Sequence, residues 1–224
     1  SAELHQLASE ELMDFDNVVM LRQDALRNKN HIHPDVLLAI ADQLKVSPAR
    51  RLKLVANLPY NIATPVISNL LTIDVVPASM TVTIQKELAD RITARPGTKD
   101  YGALSVWIQC QCRAETLRIL PPTVFWPRPK VHSAIIQIVP DVTLRNRIPD
   151  LAFFHTFVRS MFFHRRKFLR SVVLSAFKNK LNKPQVDAVL AKLELGSDAR
   201  AEQLDANQLL QLCEHLRAAL NADG

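Results

Sequence analysis

Glycine is scarce in this chain, with four in 224 residues: Gly97, Gly102, Gly196 and Gly224. None sits in a glycine-rich turn after a strand-like run, so these residues offer no loop that would cradle a nucleotide phosphate. A doubly wound sheet holding an adenosine-containing cofactor would need one near its start. Either the fold takes no such cofactor, or the chain begins after that loop. Cysteine is also scarce. Cys110, Cys112 and Cys213 cannot all pair with one another, which points to a reducing compartment. Cys110-x-Cys112 has no companion ligands nearby, so no metal site is expected. No apolar run approaches the roughly 20 residues of a helical membrane span. The opening Ser1-Ala2-Glu3-Leu4-His5 has no signal-peptide pattern, so a cytoplasmic chain with no membrane partner is expected. The last absence is local. No Asp or Glu falls between Leu151 and Val186, where Arg159, Arg165, Arg166, Lys167, Arg170, Lys178, Lys180 and Lys183 all lie. In a chain of net charge +6, that footprint suits a partner rich in phosphates.

What the chain does contain is the stretch Val55-Ala56-Asn57-Leu58-Pro59-Tyr60-Asn61-Ile62-Ala63-Thr64. Leu52 to Ala56, broken only by Lys53, predicts a buried strand ending at Asn57, and Pro59 stops its ladder. Thr64-Pro65 predicts a helix start with Thr64 as the N-cap. A carboxamide, a constrained backbone and an aromatic ring thus gather at the carboxyl end of a strand, where open α/β sheets hold ligands. These groups suit methylation of an exocyclic amino group on a flat base. Such a nitrogen is a poor nucleophile because its lone pair is delocalised into the ring. Hydrogen bonds from its N–H groups to the Asn57 side-chain oxygen and a nearby backbone carbonyl would favour the tetrahedral nitrogen that attacks. Tyr60 could stack on the base and hold it in line with a methyl donor. Taken alone, the tetrapeptide is equally compatible with an Asn turn and a core tyrosine.

A hydrophobic content of 48% with 22% charged residues fits a folded globular chain, of one large domain or two modest ones. Ala2 to Met13 predicts an amphipathic helix and Asn17 to Leu21 a short strand. Asp24 follows that strand, as an acceptor for an amino group or ribose hydroxyl or as a plain loop-start aspartate. Arg27 to Arg51 is polar at both ends with a helix-like centre; His31 and His33 lie in its first loop. Beyond Tyr60, a strand is expected at Met80 to Ile84 and helices at Gln85 to Thr93 and Leu104 to Cys112. An antiparallel pair, Thr116 to Leu120 and Val131 to Val139, then flanks a proline-rich loop. From Pro149 onward only helical periodicity remains, with Phe153, Phe157, Met161 and Phe168 as the first apolar face. The expected organisation is the later part of an α/β sheet over residues 1–140, a linker at 141–149 and a small all-α domain over 150–224.

Several of these stretches together resemble the ribosomal RNA adenine N6,N6-dimethyltransferases, closest to the small-subunit type. The match runs through Gln23-Asp24-Ala25, Asn57-Leu58-Pro59-Tyr60-Asn61-Ile62, Gln85-Lys86-Glu87 and Tyr101-Gly102-x-Leu104-Ser105-Val106. It continues through Phe125-x-Pro127-x-Pro129-Lys130-Val131-x-Ser133-Ala134, Phe163-His164-Arg165-Arg166-Lys167-x-x-Arg170 and Arg200-Ala201-Glu202. The resemblance implies a Rossmann-like S-adenosylmethionine-dependent catalytic domain, here without its first βαβ unit, followed by a small helical domain. It implies a monomer that dimethylates two adjacent adenosines near the 3′ end of small-subunit rRNA within the immature small subunit.

By the same resemblance, Asp24, Ala25 and Asn57 would contact the cofactor. Asn57, Leu58, Pro59 and Tyr60 would form the methyl-transfer site, with the Leu58 or Pro59 carbonyl as second acceptor. Phe125 would flank the target base, and Arg165, Arg166, Lys167 and Arg170 would contact rRNA. The family's glycine-rich loop and the acidic residue after its next strand have no counterpart here. A truncated chain that binds the cofactor poorly is therefore expected, and Arg27 to Arg51 is expected to be an insertion. The rival readings are the related large-subunit rRNA methyltransferase of the antibiotic-resistance type and a non-catalytic rRNA-binding assembly factor.

Overall fold

The computed structural model describes residues 2–165 and 167–222. Its centre is a mixed four-stranded sheet in the order β3-β4-β6-β5. The strands are β3 (Lys53–Asn57), β4 (Ser79–Gln85), β5 (Cys112–Leu120) and β6 (Ser133–Pro140). β3 and β4 run parallel, and β6 pairs antiparallel with both β4 and β5. Alternation explains β4: Met80, Val82 and Ile84 are buried, and the Ser, Thr and Gln residues between them are only half-buried. Helices α4 (Lys86–Thr93) and α5 (Ala103–Gln109) pack on this core through Leu88, Ile92, Val106 and Ile108. The antiparallel pair and the helix over 103–109 agree with the sequence pattern.

Before the sheet lie α1 (Ala2–Glu11), a small hairpin of β1 (Leu26–Asn28) and β2 (His31–Ile32), and α2 (Pro34–Lys45). Asn17 to Leu21 is not a strand. Strand propensity without a neighbouring ladder leaves the backbone unpaired, and Val19 and Leu21 stay 62% and 43% exposed. The two histidines serve local structure. His31 Nδ1 lies 3.0 Å from Asn28 Oδ1, and His33 caps α2 by accepting from the Asp35 N–H. No cluster of three or more His, Cys, Asp or Glu able to hold a metal occurs among the described residues. β3 is not buried either. It is the edge of the sheet among the described residues, and Val55 on it is 79% exposed.

Helix α3 (Ala63–Leu70) starts earlier than expected. The Pro59 carbonyl accepts from both Ile62 and Ala63, so Ile62 is the N-cap and Thr64 already lies inside the first turn. Residues 141–149 are not a bare linker. Asp141 caps a short helix α6 (Val142–Arg145), and Arg145 donates to the Leu71 carbonyl and to Gln111 Oε1.

Beyond β6 the described residues form only helices and one 3-10 turn. The helices are α7 (Leu151–Phe163), α8 (Leu169–Ala176), α9 (Lys183–Lys192) and α10 (Ala206–Ala222). The buried face of α7 is Phe154, Phe157, Val158 and Met161. Phe168 lies past the end of α7 as the N-cap of α8, with the Arg200 guanidinium over its ring. Helix α9 stops before Gly196, because Glu194 adopts φ +54°. No helix among the described residues is long and apolar enough to cross a membrane.

Candidate active site

The Asn57-to-Tyr60 stretch leaves β3 and turns over the carboxyl end of the sheet. The Leu58 N–H still donates to the Thr83 carbonyl on β4 (3.1 Å), which carries the ladder one residue beyond the strand and buries the Leu58 side chain. Pro59 then ends it, and its carbonyl is occupied by the turn into α3. This separates the two carbonyl candidates. That of Pro59 is already engaged twice, whereas that of Leu58 accepts no backbone or side-chain hydrogen bond from the described residues. The Asn57 side chain is exposed.

Tyr60 is half-buried, and its hydroxyl lies 2.7 Å from Ser133 Oγ at the start of β6. That bond holds the ring across the sheet's end, towards the 121–132 loop. Asn57, Leu58, Pro59 and Tyr60 line one cleft of about 320 Å³ with Phe125, Trp126, Pro127 and Pro129. The two aromatic residues expected to flank a base therefore share one cleft with the carboxamide. Trp126, 96% exposed, had no expected role in this cleft, nor had Ser133 as the buried partner of Tyr60. The signal available in sequence was the proline spacing around Trp126 and the place of Ser133 in the same 125–134 stretch; its pairing with Tyr60, 73 residues away, left no local trace.

Asp24 and Ala25 do not line this cleft. Asp24 Oδ1 accepts from the Leu26 N–H (2.9 Å), a loop-start bond, and the Ala25 carbonyl accepts from the His33 N–H. The fit to S-adenosylmethionine is therefore one-sided. Asn57 and the aromatic cleft suit the acceptor base. On the donor side, none of the glycines at 97, 102 and 196 follows a strand of the sheet, so no backbone cradle faces the cofactor among the described residues.

The basic block divides. Arg165 donates to the Lys99 carbonyl (2.5 Å) and the Thr98 carbonyl (2.7 Å), and its Nε lies 2.5 Å from Glu202 Oε2. Arg170 forms a two-point pair with Asp187, at 2.5 and 2.7 Å. A phosphate at either residue would have to compete with these partners. Lys167 is exposed and its ammonium has no partner among the described residues; Arg166 lies outside them. Cys110, Cys112 and Cys213 are free and buried, and burial pushes the first two thiols up to about 12. They are inert packing residues.

The sequence profile described as ribosomal RNA adenine dimethylase matches residues 2–218. The chain belongs to that family. It is 39% identical over 215 residues to the ribosomal RNA small subunit methyltransferase A of Lactiplantibacillus plantarum, covering 95% of this chain and 70% of that relative. A crystal structure of a dimethyladenosine transferase from Plasmodium falciparum superposes with a TM-score of 0.79 at 20% identity, covering 98% of this chain and 80% of that one. The crystal structure of the 23S rRNA methyltransferase ErmE gives 0.60 at 20% identity, over 97% and 79%. Both likenesses establish the Rossmann-like fold, and membership makes the chain one of a family of enzymes.

Proposed function

We propose that this chain carries the base-accepting and RNA-contacting parts of an enzyme that uses S-adenosylmethionine to dimethylate N6 of two adjacent adenosines near the 3′ end of small-subunit rRNA. Its substrate would be the immature small subunit in the cytoplasm. The observation that carries the reading is the single cleft that Asn57 and Leu58 line together with Tyr60 and Phe125. An adenine unstacked from its helix can lie between two aromatic rings there. Its amino group then meets two acceptors, the Asn57 side-chain oxygen and the Leu58 carbonyl. Two N–H donors directed to two acceptors draw the nitrogen towards a tetrahedral geometry and aim its lone pair away from the protein. The cofactor, when bound, supplies a methyl group already activated as a sulfonium. The cleft needs no covalent intermediate. Its work is positioning, and the proton can leave to water after transfer.

Small-subunit specificity is supported by the 39%-identical relative, named for that subunit. The test is methyl transfer by the full-length protein to immature small subunits, to naked rRNA and to large subunits. Label on adenosines of the small-subunit particle is expected. Label confined to large-subunit RNA would instead favour the antibiotic-resistance type of enzyme, and no label with Asn57 intact would favour a non-catalytic assembly factor.

A further inference from the structure

A second cleft, of about 450 Å³, opens beside the first. The two are adjacent in the chain, since Tyr60 lines one and Asn61 the other. Its walls come from the β1–β2 turn, the first turns of α3, and α5 and α7. Two cations reach it from distant parts of the sequence, Lys29 in the hairpin turn and Arg159 on α7, and no carboxylate lines it. Neither cation has a hydrogen-bond or ion-pair partner for its charged group among the described residues, unlike Arg165 and Arg170. Between them stand the polar side chains of Asn61, Thr64 and Ser68. The N–H groups of Ile62 and Ala63 at the start of α3 are taken by the Pro59 carbonyl and Pro65 has none, so the donors α3 offers this cleft are side chains, those of Thr64 and Ser68. One wall is Trp107, 2% exposed, whose buried Nε1–H lacks an acceptor in the described residues.

We propose that this cleft holds a backbone phosphate of the substrate RNA, within one or two nucleotides of the target base, between Lys29 and Arg159. The inference rests on the reading of the Tyr60 cleft as the base site. Consecutive Cα atoms are about 3.8 Å apart, so a strand whose base enters beside Tyr60 has Asn61 and its cleft within reach of the neighbouring phosphates. Lys29 and Arg159 are both exposed, and two unpaired cations lining one cleft with no acid raise the local positive potential, which an anion there would relieve. A phosphodiester also accepts hydrogen bonds from Asn61 and Thr64. Lys29 belongs to the 27–51 segment, which thereby gains a role in gripping RNA. Arg159, more than the paired Arg165 and Arg170, becomes the arginine through which the helical part grips the strand.

The experiment is a salt titration of the binding of a small-subunit 3′-end RNA to the chain and to its Lys29→Gln, Arg159→Gln and double variants. Each single change is expected to reduce the slope of log affinity against log salt by about 0.7, and the double by about twice that. Arg159→Lys should keep the slope, and so should Lys45→Gln, whose ammonium is already paired with Asp42. In a Trp126→Phe background Trp107 is the sole tryptophan. Its emission should change on RNA addition and stop changing once Lys29 and Arg159 are both neutralised. RNA binding with an unchanged slope in the double variant would overturn the phosphate site alone. A Trp107 response to inorganic phosphate that RNA does not compete away would overturn it in favour of a free-anion site. Absence of RNA binding by the parent chain would overturn the underlying RNA reading as well.

Discussion

Asn57 and Tyr60 differ in what surrounds them: one is exposed, the other half-buried and tied to Ser133. Asn57 is exposed and has no role in packing, so Asn57→Ala in the full-length enzyme should leave the melting temperature unchanged. It should lower kcat by about 10²–10³-fold, the usual cost of removing one well-placed polar group. Single-turnover methyl transfer beside a thermal melt separates the two effects. Tyr60→Phe keeps the ring and loses only the Ser133 bond, at about 0.5–1.5 kcal/mol of stability, and should retain most activity. Tyr60→Ala should lose it. Equal loss from both would show that the hydroxyl, not the ring, is what matters. Arg165 and Lys167 should part company. Arg165→Gln breaks three hydrogen bonds, one of them also an ion pair with Glu202 that is only partly shielded from solvent, with a cost of roughly 1–3 kcal/mol in a denaturant melt. Lys167→Gln should leave stability intact and weaken RNA binding.

At the scale of elements, α5 and α7 meet through rings: Trp107 lies 4.6 Å from His155 and stacks with Phe154. Burial, reinforced by Arg159, holds the His155 pKa below its ordinary value of 6.5. The charged groups beside it are both cations, Arg159 on its own helix and Lys29 across the cleft. The native state therefore resists a proton that the unfolded chain accepts. Stability contributed by this contact is present above pH 6.5 and falls as the pH drops through and below it. The difference in thermal midpoint between pH 7.5 and 5.5 should be smaller in His155→Gln than in the parent. An identical difference in both would remove His155 from the account. The edge strand β3 was legible as a strand because its apolar run is short and ends at a proline. Its exposure was not legible, because composition cannot say which strand lies outermost. The same holds for Asn17 to Leu21, where propensity predicts a strand and the described residues supply no partner for it.

For the whole molecule, the helical part is tied to the sheet part at a seam. Tyr101 donates to the Leu204 carbonyl (2.9 Å), Gly97 to that of Glu202 (2.7 Å), and Arg165 joins Thr98, Lys99 and Glu202. Three of the stretches on which the family resemblance rests thus meet in one joint, away from the chemistry. The one-sided fit at the active site carries its own consequence. Calorimetry of residues 1–224 with S-adenosylmethionine should detect no binding, and micromolar affinity would mean that Asp24 and Asn57 suffice without a glycine cradle.

The amino-acid sequence by itself determined most of the elements, the family and the candidate tetrapeptide, because periodicity, prolines and local caps act over a few residues. Only the tertiary structure decided which carbonyl is left unengaged, which arginines are already paired and which strand is the edge. It also brought Lys29 and Arg159 to the walls of one cleft. The carbonyl was settled by the local turn into α3, but the others depend on partners more distant in the chain, and residue type alone carries no record of those partners. The basic run of α7 and α8 shows the difference most plainly. Its charge was visible at once, but the residues free to use that charge became visible only when Glu202 and Asp187 were seen to hold two of them.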